Sequence, residues 1–173
     1  LTQAIAYEKA IEAHRKNRPH CMVTLYWQLN DCWPGPSWST IDYGGELKSA
    51  HYKVREMYQN VLPIIEIEKE VITTYISNDT NKDLLCAVQI QLIDAGNGEI
   101  LKTHSHTTTI DAMSTSFSNV LEKFLKVAST NYYLHAEISV DGEMVSKRNI
   151  IPNWPAFSRN NDMTRIKKIF LSN

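Results

Sequence analysis

The order of apolar and polar positions divides this chain near Pro63. Before it the pattern repeats at helical spacing, and after it at a spacing of two. Ile5, Tyr7, Ala10, Ile11 and His14 recur at mixed three- and four-residue intervals. They predict a helix from about Thr2 to Lys16 with those side chains on its inner face. Thr2 suits an N-cap, Arg15, Lys16 and Arg18 suit the negative end of the helix dipole, and Pro19 forbids continuation. Cys21 to Leu29 is almost wholly apolar or aromatic, the composition of a strand buried on both faces of a parallel sheet. A loop with Pro34, Gly35, Pro36, Gly44 and Gly45 follows. Leu47, Ala50, His51, Val54, Met57, Tyr58 and Val61 then mark a second helix from about Glu46 to Asn60. Helix, buried strand and helix form a piece of an α/β architecture, and one strand makes no parallel sheet by itself.

From Ile64 onward the pattern is that of paired strands. Leu84, Cys86, Val88, Ile90 and Leu92 point one way, with Gln89 and Gln91 between them. Asp94 to Gly98 reads as a hairpin turn, because Gly and Asn tolerate positive φ. Ile100 to Ile110 returns as a Thr-rich strand, and Thr115 to Ala128 reads as another strand region. Tyr132, Leu134, Ala136, Ile138 and Val140 alternate again, and Asp141-Gly142 turns the chain into Met144 to Ile151. With Ile64 to Ser77, that makes six or seven strands over about 110 residues, the spacing of an immunoglobulin-like sandwich. The tail from Asn153, with Arg165, Lys167, Lys168 and an apolar end at Ile169 to Leu171, reads as a final strand or a linker. The fold expected is mainly β: a sandwich over residues 62 to 173, preceded by a helix-strand-helix segment over residues 1 to 61.

Composition narrows the function classes. The chain has 173 residues, 43% of them hydrophobic, with 18 basic and 19 acidic side chains. That balance excludes the basic surface a nucleic-acid partner requires. No apolar run approaches the roughly 18 residues of a membrane helix. Leu1 to Ala4 is neither an initiator Met nor a signal peptide, so the chain is expected to be cut from something longer. Cys21, Cys32 and Cys86 form no CxxC pair, which supports neither a zinc nor a redox motif, and no cofactor is implied. Cys86, in an alternating apolar stretch, reads as a buried small hydrophobe.

The chemistry concentrates in Tyr26-Trp-Gln-Leu-Asn-Asp-Cys-Trp-Pro-Gly-Pro-Ser-Trp38, which carries three Trp, one Asn and one Asp where the apolar segment ends. The C-terminal ends of barrel strands are where α/β barrels build their sites. Indole faces stack on the C–H faces of sugar rings, and Asn and Asp bond hydroxyls, so the mixture suits a carbohydrate subsite. A strand end whose tryptophans belong to the core is the competing reading.

Residues Ala6 to Arg18, Thr24-Leu-Tyr-Trp-Gln-Leu-Asn-Asp-Cys-Trp-Pro34, Ser37-Trp-Ser39, Ile41-Asp-Tyr-Gly44 and Lys48-Ser-Ala-His-Tyr52 agree in order, spacing and type with one family over about 60 residues. In them the chain resembles the β-mannosidases of glycoside hydrolase family 2. The resemblance implies a (β/α)₈ barrel whose last strand and flanking helices are residues 1 to 61, with the sandwich as the module after the barrel. It implies cleavage of terminal β-mannosides with retention through two Glu residues, one of them after an Asn. This chain has no Asn-Glu dipeptide, so both carboxylates are expected upstream and no catalytic residue is assigned here. Carried over as substrate-binding candidates are Trp27, for stacking, and Asn30, Asp31 and Trp33. Asp31 also suits a role in holding the loop, and Trp38 is expected to pack the loop. The implied partners are a β-mannoside or manno-oligosaccharide and the upstream barrel, and self-association is expected where the first helices and strand lack their sheet. The alternative is a carbohydrate-binding or purely structural sandwich of another family 2 hydrolase.

Other features have plainer readings. His104 and His106 share a strand face at a spacing some metal sites use, yet with Lys102 and Thr108 they read as a polar outer face. His51 reads as a core or interface histidine, and Cys32 with His51 lacks a third orienting group. Asn78-Asp-Thr80 fits the N-glycosylation acceptor pattern. A sugar platform on the sandwich would draw on Tyr75, Tyr132, Tyr133 and Trp154.

Overall fold

The computed structural model describes residues 1–129, 131–152 and 154–171. Chain contacts divide it into two compact units, Leu1–Gln59 and Asn60–Asn173.

The first unit is a pair of helices with a long connection. Helix α1 spans Thr2–Lys16, with Leu1 at the N-cap and His14, Arg15 and Lys16 in its last turn. Four alanines at 4, 6, 10 and 13 favour the helix without side-chain entropy cost. The buried face differs from the one expected. Ala4, Glu8, Ile11, Glu12 and Arg15 are inside, while Ala10 and His14 are exposed. The cause is ionic. Lys53 of helix α2 (Ser49–Met57) is fully buried and sits 2.7 Å from Glu56 and 3.9 Å from Glu8. Arg15 donates to the carbonyls of Met57 and Gln59, both at 2.7 Å, at the C-terminal end of α2. Helix α2 is shorter than the span from Glu46 to Asn60. Leu47 is held in an antiparallel bridge to Ile41, and Lys48 takes the extended N-cap conformation. Ala50, Val54 and Met57 of the expected stripe are buried, whereas Leu47 and Tyr58 are exposed.

Cys21 to Leu29 forms neither helix nor strand, and Val23, Leu25, Trp27 and Leu29 are exposed. The expected buried strand is therefore corrected to an irregular, unpaired segment. A strand exists through ladder bonds to neighbours, and the described residues supply none here.

The second unit is a two-sheet sandwich of seven strands among the described residues. Strands β1 (Val61–Glu68), β2 (Val71–Asn78) and β5 (Ser114–Leu121) form one sheet in the order β1-β2-β5. Strands β3 (Leu84–Asp94), β4 (Ile100–Ile110), β6 (Tyr132–Val140) and β7 (Glu143–Ile150) form the other, ordered β4-β3-β6-β7. All pairings are antiparallel. Cys86, Val88, Ile90 and Leu92 of β3 meet Leu134, Ala136 and Ile138 of β6 in the core with Ile72, Ile76 and Ile110. The β3–β4 turn is closed by Asp94, whose carboxylate accepts the Gly96 and Asn97 amides at 2.7 and 3.2 Å. The β6–β7 turn places Asp141 and Gly142 at φ 52° and 82°, the positive pair a tight hairpin requires.

Side chains fasten both lateral seams of the sandwich. At the β1/β7 edge, the fully buried Arg148 donates to the Pro63 carbonyl at 2.7 Å. At the β4/β5 edge, His106 bonds Ser118 at 2.7 Å, His104 bonds Asn119 at 2.8 Å, and Lys102 donates to the carbonyls of Lys123 and Lys126. The two histidines thus face β5, not an outer polar surface. After β7 the tail forms helices α3 (Trp154–Asn160) and α4 (Met163–Leu171), which replaces the expected strand or linker. Asn153 lies outside the described residues. Phe157, Ile166 and Phe170 are buried, and Asp162 caps α4 by accepting the Arg165 amide at 2.8 Å.

Candidate functional site

The tryptophan-rich segment is built on backbone bonds between two stretches of chain. The amides of Thr40 and Ile41 donate to Leu29, and the Asp31 amide donates to Ile41 at 3.1 Å, giving a parallel bridge between Asn30 and Ile41. Residues 32 to 38 project from that base as a compact loop. The stretch leading into it is held by phenols: Tyr7 donates to the Trp27 carbonyl at 2.7 Å and Tyr58 to the Thr24 carbonyl at 2.6 Å. Tyr26 packs edge-on against both rings. Burial, then the neighbouring Tyr26, raises the Tyr58 pKa, which keeps this phenol a neutral donor.

The loop presents its indoles to solvent. Trp27, Trp33 and Trp38 are 74%, 71% and 73% exposed. Trp38 therefore does not pack the loop, contrary to the expectation above. Its carbonyl is anchored by Gln3 at 2.6 Å, and the ring projects away. The Trp27–Gln28 peptide bond is cis. Asn30 is exposed, and its amide reaches only the adjacent Asp31 carbonyl, at 3.3 Å.

Asp31 is placed differently from the other three candidates. Its side chain is only 3% exposed. It accepts from Ser39 Oγ at 2.7 Å and from Lys48 Nζ at 3.3 Å. Hydrogen bonds from Ser37 and Ser39, and then the Lys48 ammonium, hold its carboxyl below the usual carboxylate range, against the opposing effect of burial. Lys48 also reaches Ser39 Oγ at 2.6 Å and Ser37 Oγ at 3.2 Å. The sequence reading missed Lys48, since a lone Lys near a helix start reads as solvated. Asp42, the next carboxylate along, accepts the Glu46 amide at 2.9 Å in the turn that follows. His51 bonds Thr40 at 3.3 Å, and Cys32 is exposed.

The sandwich candidates are not arrayed as a platform. Tyr75 meets Phe117 edge-on, Tyr132 and Tyr133 are half-buried, and Trp154 stacks on Phe157. The Asn78 side chain is fully buried, its amide donating to the carbonyls of Lys82 and Asp111, so the Asn78-Asp-Thr80 acceptor pattern offers no free amide.

Residues 70–155 match the family described as a Mannosidase Ig/CBM-like domain. A probable β-mannosidase of Caenorhabditis elegans is 31% identical over 142 residues, covering 77% of this chain and 16% of that protein. A β-mannosidase of Capra hircus is 38% identical over 90 residues, covering 48% of this chain and 10% of that protein. The chain thus spans a small fraction of the length of these relatives. In fold it is similar to the β-D-mannosidase crystal structure from Dictyoglomus thermophilum, with a TM-score of 0.74 and 23% identity over 86% of this chain and 18% of that one. The chain belongs to the β-mannosidases of glycoside hydrolase family 2, as a C-terminal part of such a protein whose second half is the Mannosidase Ig/CBM-like domain.

Proposed function

We propose that the full-length protein is a retaining exo-β-mannosidase hydrolysing terminal β-D-mannosides, and that this chain supplies one aromatic wall of its sugar subsite together with a scaffolding sandwich. The observation that carries the reading is the set of three exposed indoles, Trp33 and Trp38 on a loop whose backbone is fastened at its base and Trp27 on the stretch leading into it. Large exposed apolar side chains gathered in one segment mark a ligand or partner surface. An indole offers a flat apolar face to the C–H side of a mannose ring, and the exposed Asn30 amide suits its hydroxyls. Trp27 and Trp33 are the stacking residues in this reading, and Trp38 extends the same wall. Asp31 contributes by holding the loop.

In this reading the groups for the bond cleavage itself lie outside this chain. Retention needs two carboxyls about 5–5.5 Å apart, one to protonate the leaving oxygen and one to attack the anomeric carbon. Asp31 is closed in by Ser39 and Lys48, and Asp42 is engaged in its turn. Both catalytic carboxylates therefore come from the upstream barrel. That barrel is also the partner for residues 1 to 61. The exposed segment from Cys21 to Leu29 has the sequence of its last strand, and Thr24, Leu25, Tyr26, Val54 and Tyr58 line an apolar concavity of about 360 Å³ that a neighbouring element would fill. The sandwich is assigned a bracing role, since its aromatic side chains pack inward or edge-on and form no row.

The test is hydrolysis of an aryl β-mannoside by the full-length protein carrying Trp27→Ala or Trp33→Ala. Either substitution is expected to raise KM at least fivefold. Unchanged KM in both would remove the aromatic wall from the account.

A further inference from the structure

We infer that Lys48 is a positioning residue for the tryptophan loop, its single ammonium gripping the three points that bracket Trp33 and Trp38. The anchors are Asp31, Ser37 and Ser39, at 3.3, 3.2 and 2.6 Å from Nζ. Trp33 lies between the first and second anchors, and Trp38 lies between the second and third. The inference rests on the aromatic-wall reading and names the residue that sets the wall's geometry.

The chemistry suits lysine. An ammonium has three N–H donors on a compact charge, and here three acceptors surround it. The acceptors also lie against one another: the Ser37 and Ser39 hydroxyl oxygens are 2.9 Å apart, and Ser39 Oγ donates to Asp31 at 2.7 Å. The Lys48 amide donates to the Thr40 carbonyl at 2.9 Å, so its own backbone is tied to the far strand of the loop base. Lys48 is also the N-cap of α2. The start of that helix and the loop therefore move as one piece. Without the ammonium, the segment from Cys32 to Trp38 keeps its two ends but loses its internal fastening. The indoles would then sample many orientations. Sugar stacking needs one orientation, and a wall that samples several holds the ring more weakly in ground state and transition state alike, which raises KM more than it lowers kcat.

The experiment uses the full-length protein with Lys48→Met, Lys48→Arg, Ser37→Ala and Trp33→Ala, assayed on an aryl β-mannoside. Lys48→Met is expected to raise KM about tenfold while kcat changes less than threefold. Lys48→Arg keeps the charge but spreads five donors over a planar fork in place of a compact ammonium, and its KM is expected to fall between wild type and Lys48→Met. The ¹H–¹⁵N spectrum of the 173-residue chain adds a direct readout. In Lys48→Met the indole N–H signals of Trp33 and Trp38 are expected to shift or broaden while that of Trp154 stays in place. If Lys48→Met does not fold by circular dichroism, Ser37→Ala, which removes one anchor, carries the same comparison with a KM rise of about threefold. A KM within twofold of wild type for Lys48→Met, alongside a raised KM for Trp33→Ala, overturns the inference and leaves the wall standing. An unchanged KM for Trp33→Ala takes Trp33 out of the wall, and the role assigned to Lys48 falls with it.

Discussion

Arg148 offers the sharpest test of how the sandwich is held together. Its side chain is fully buried at the β1/β7 seam, where Nη1 donates to the Pro63 carbonyl across the two sheets. Arg148→Ala removes a hydrogen bond from a charged donor, worth about 1.5–3 kcal/mol. It also deletes the two outer methylenes of the buried stem, about 0.8 kcal/mol each. The sum is about 3–5 kcal/mol, the range expected when one partner of a buried charged contact is removed. Arg148→Met keeps most of the volume and leaves the Pro63 carbonyl unmet, for a loss of about 1–3 kcal/mol. Against a typical domain stability of about 5–15 kcal/mol, the alanine variant would be severely weakened. Urea unfolding followed by far-ultraviolet circular dichroism reads the difference. With a slope of about 2 kcal/mol per molar urea, Arg148→Ala should lower the midpoint by about 1.5–2.5 M, and Arg148→Met by roughly half as much. An alanine variant within about 0.5 M of wild type would refute the claim that this seam is fastened by its buried arginine.

Three further outcomes are expected. Trp27→Ala removes an indole face whose covering by a sugar ring buries about 75 Å² of apolar surface, or about 2 kcal/mol; KM for an aryl β-mannoside should rise about 10–30-fold, and a rise below threefold would contradict stacking there. Burial, then the adjacent His104, lowers the His106 pKa below its usual 6.5, so the unfolded chain takes up a proton first as pH falls. Stability contributed at this seam is therefore full above about pH 6.5 and is lost on acidification toward the folded-state pKa; a thermal midpoint that falls between pH 7 and pH 5 in wild type, and falls less in His106→Gln, is the expected result. The isolated chain should self-associate through the exposed stretch around Leu25, which is 89% exposed, and Leu25→Asp should weaken that association in sedimentation velocity. A strictly monomeric wild type with protected amides from Val23 to Leu29 would refute it.

The sequence was most legible where local rules decide structure. The bounds of α1, the alternation of β3 and β6, and the turns at Asp94 to Gly98 and Asp141-Gly142 follow from spacing and turn chemistry alone. It was least legible where distant residues decide. The inner face of α1 is polar because Lys53 supplies a buried cation that no local pattern announces. Cys21 to Leu29 has strand composition, but a strand requires pairing partners, and the described residues supply none. The tail helices bury Phe157, Ile166 and Phe170, three positions too widely spaced to mark a helical stripe by themselves. At the candidate site, the Trp-Gln-Leu-Asn-Asp string marked the loop. The inward turn of Asp31 and its tie to Lys48 depend on the pairing of residues 29–31 with 40–41, which spacing does not reveal.

The most direct measurement is hydrolysis of a chromogenic β-mannoside by the full-length protein and by the 173-residue chain, side by side. The account predicts an active full-length protein and an inactive chain, with the carboxylates upstream and the aromatic wall here. Turnover by the chain alone would contradict it and would turn attention to Asp31, Asp42 and Glu46 as the reacting groups.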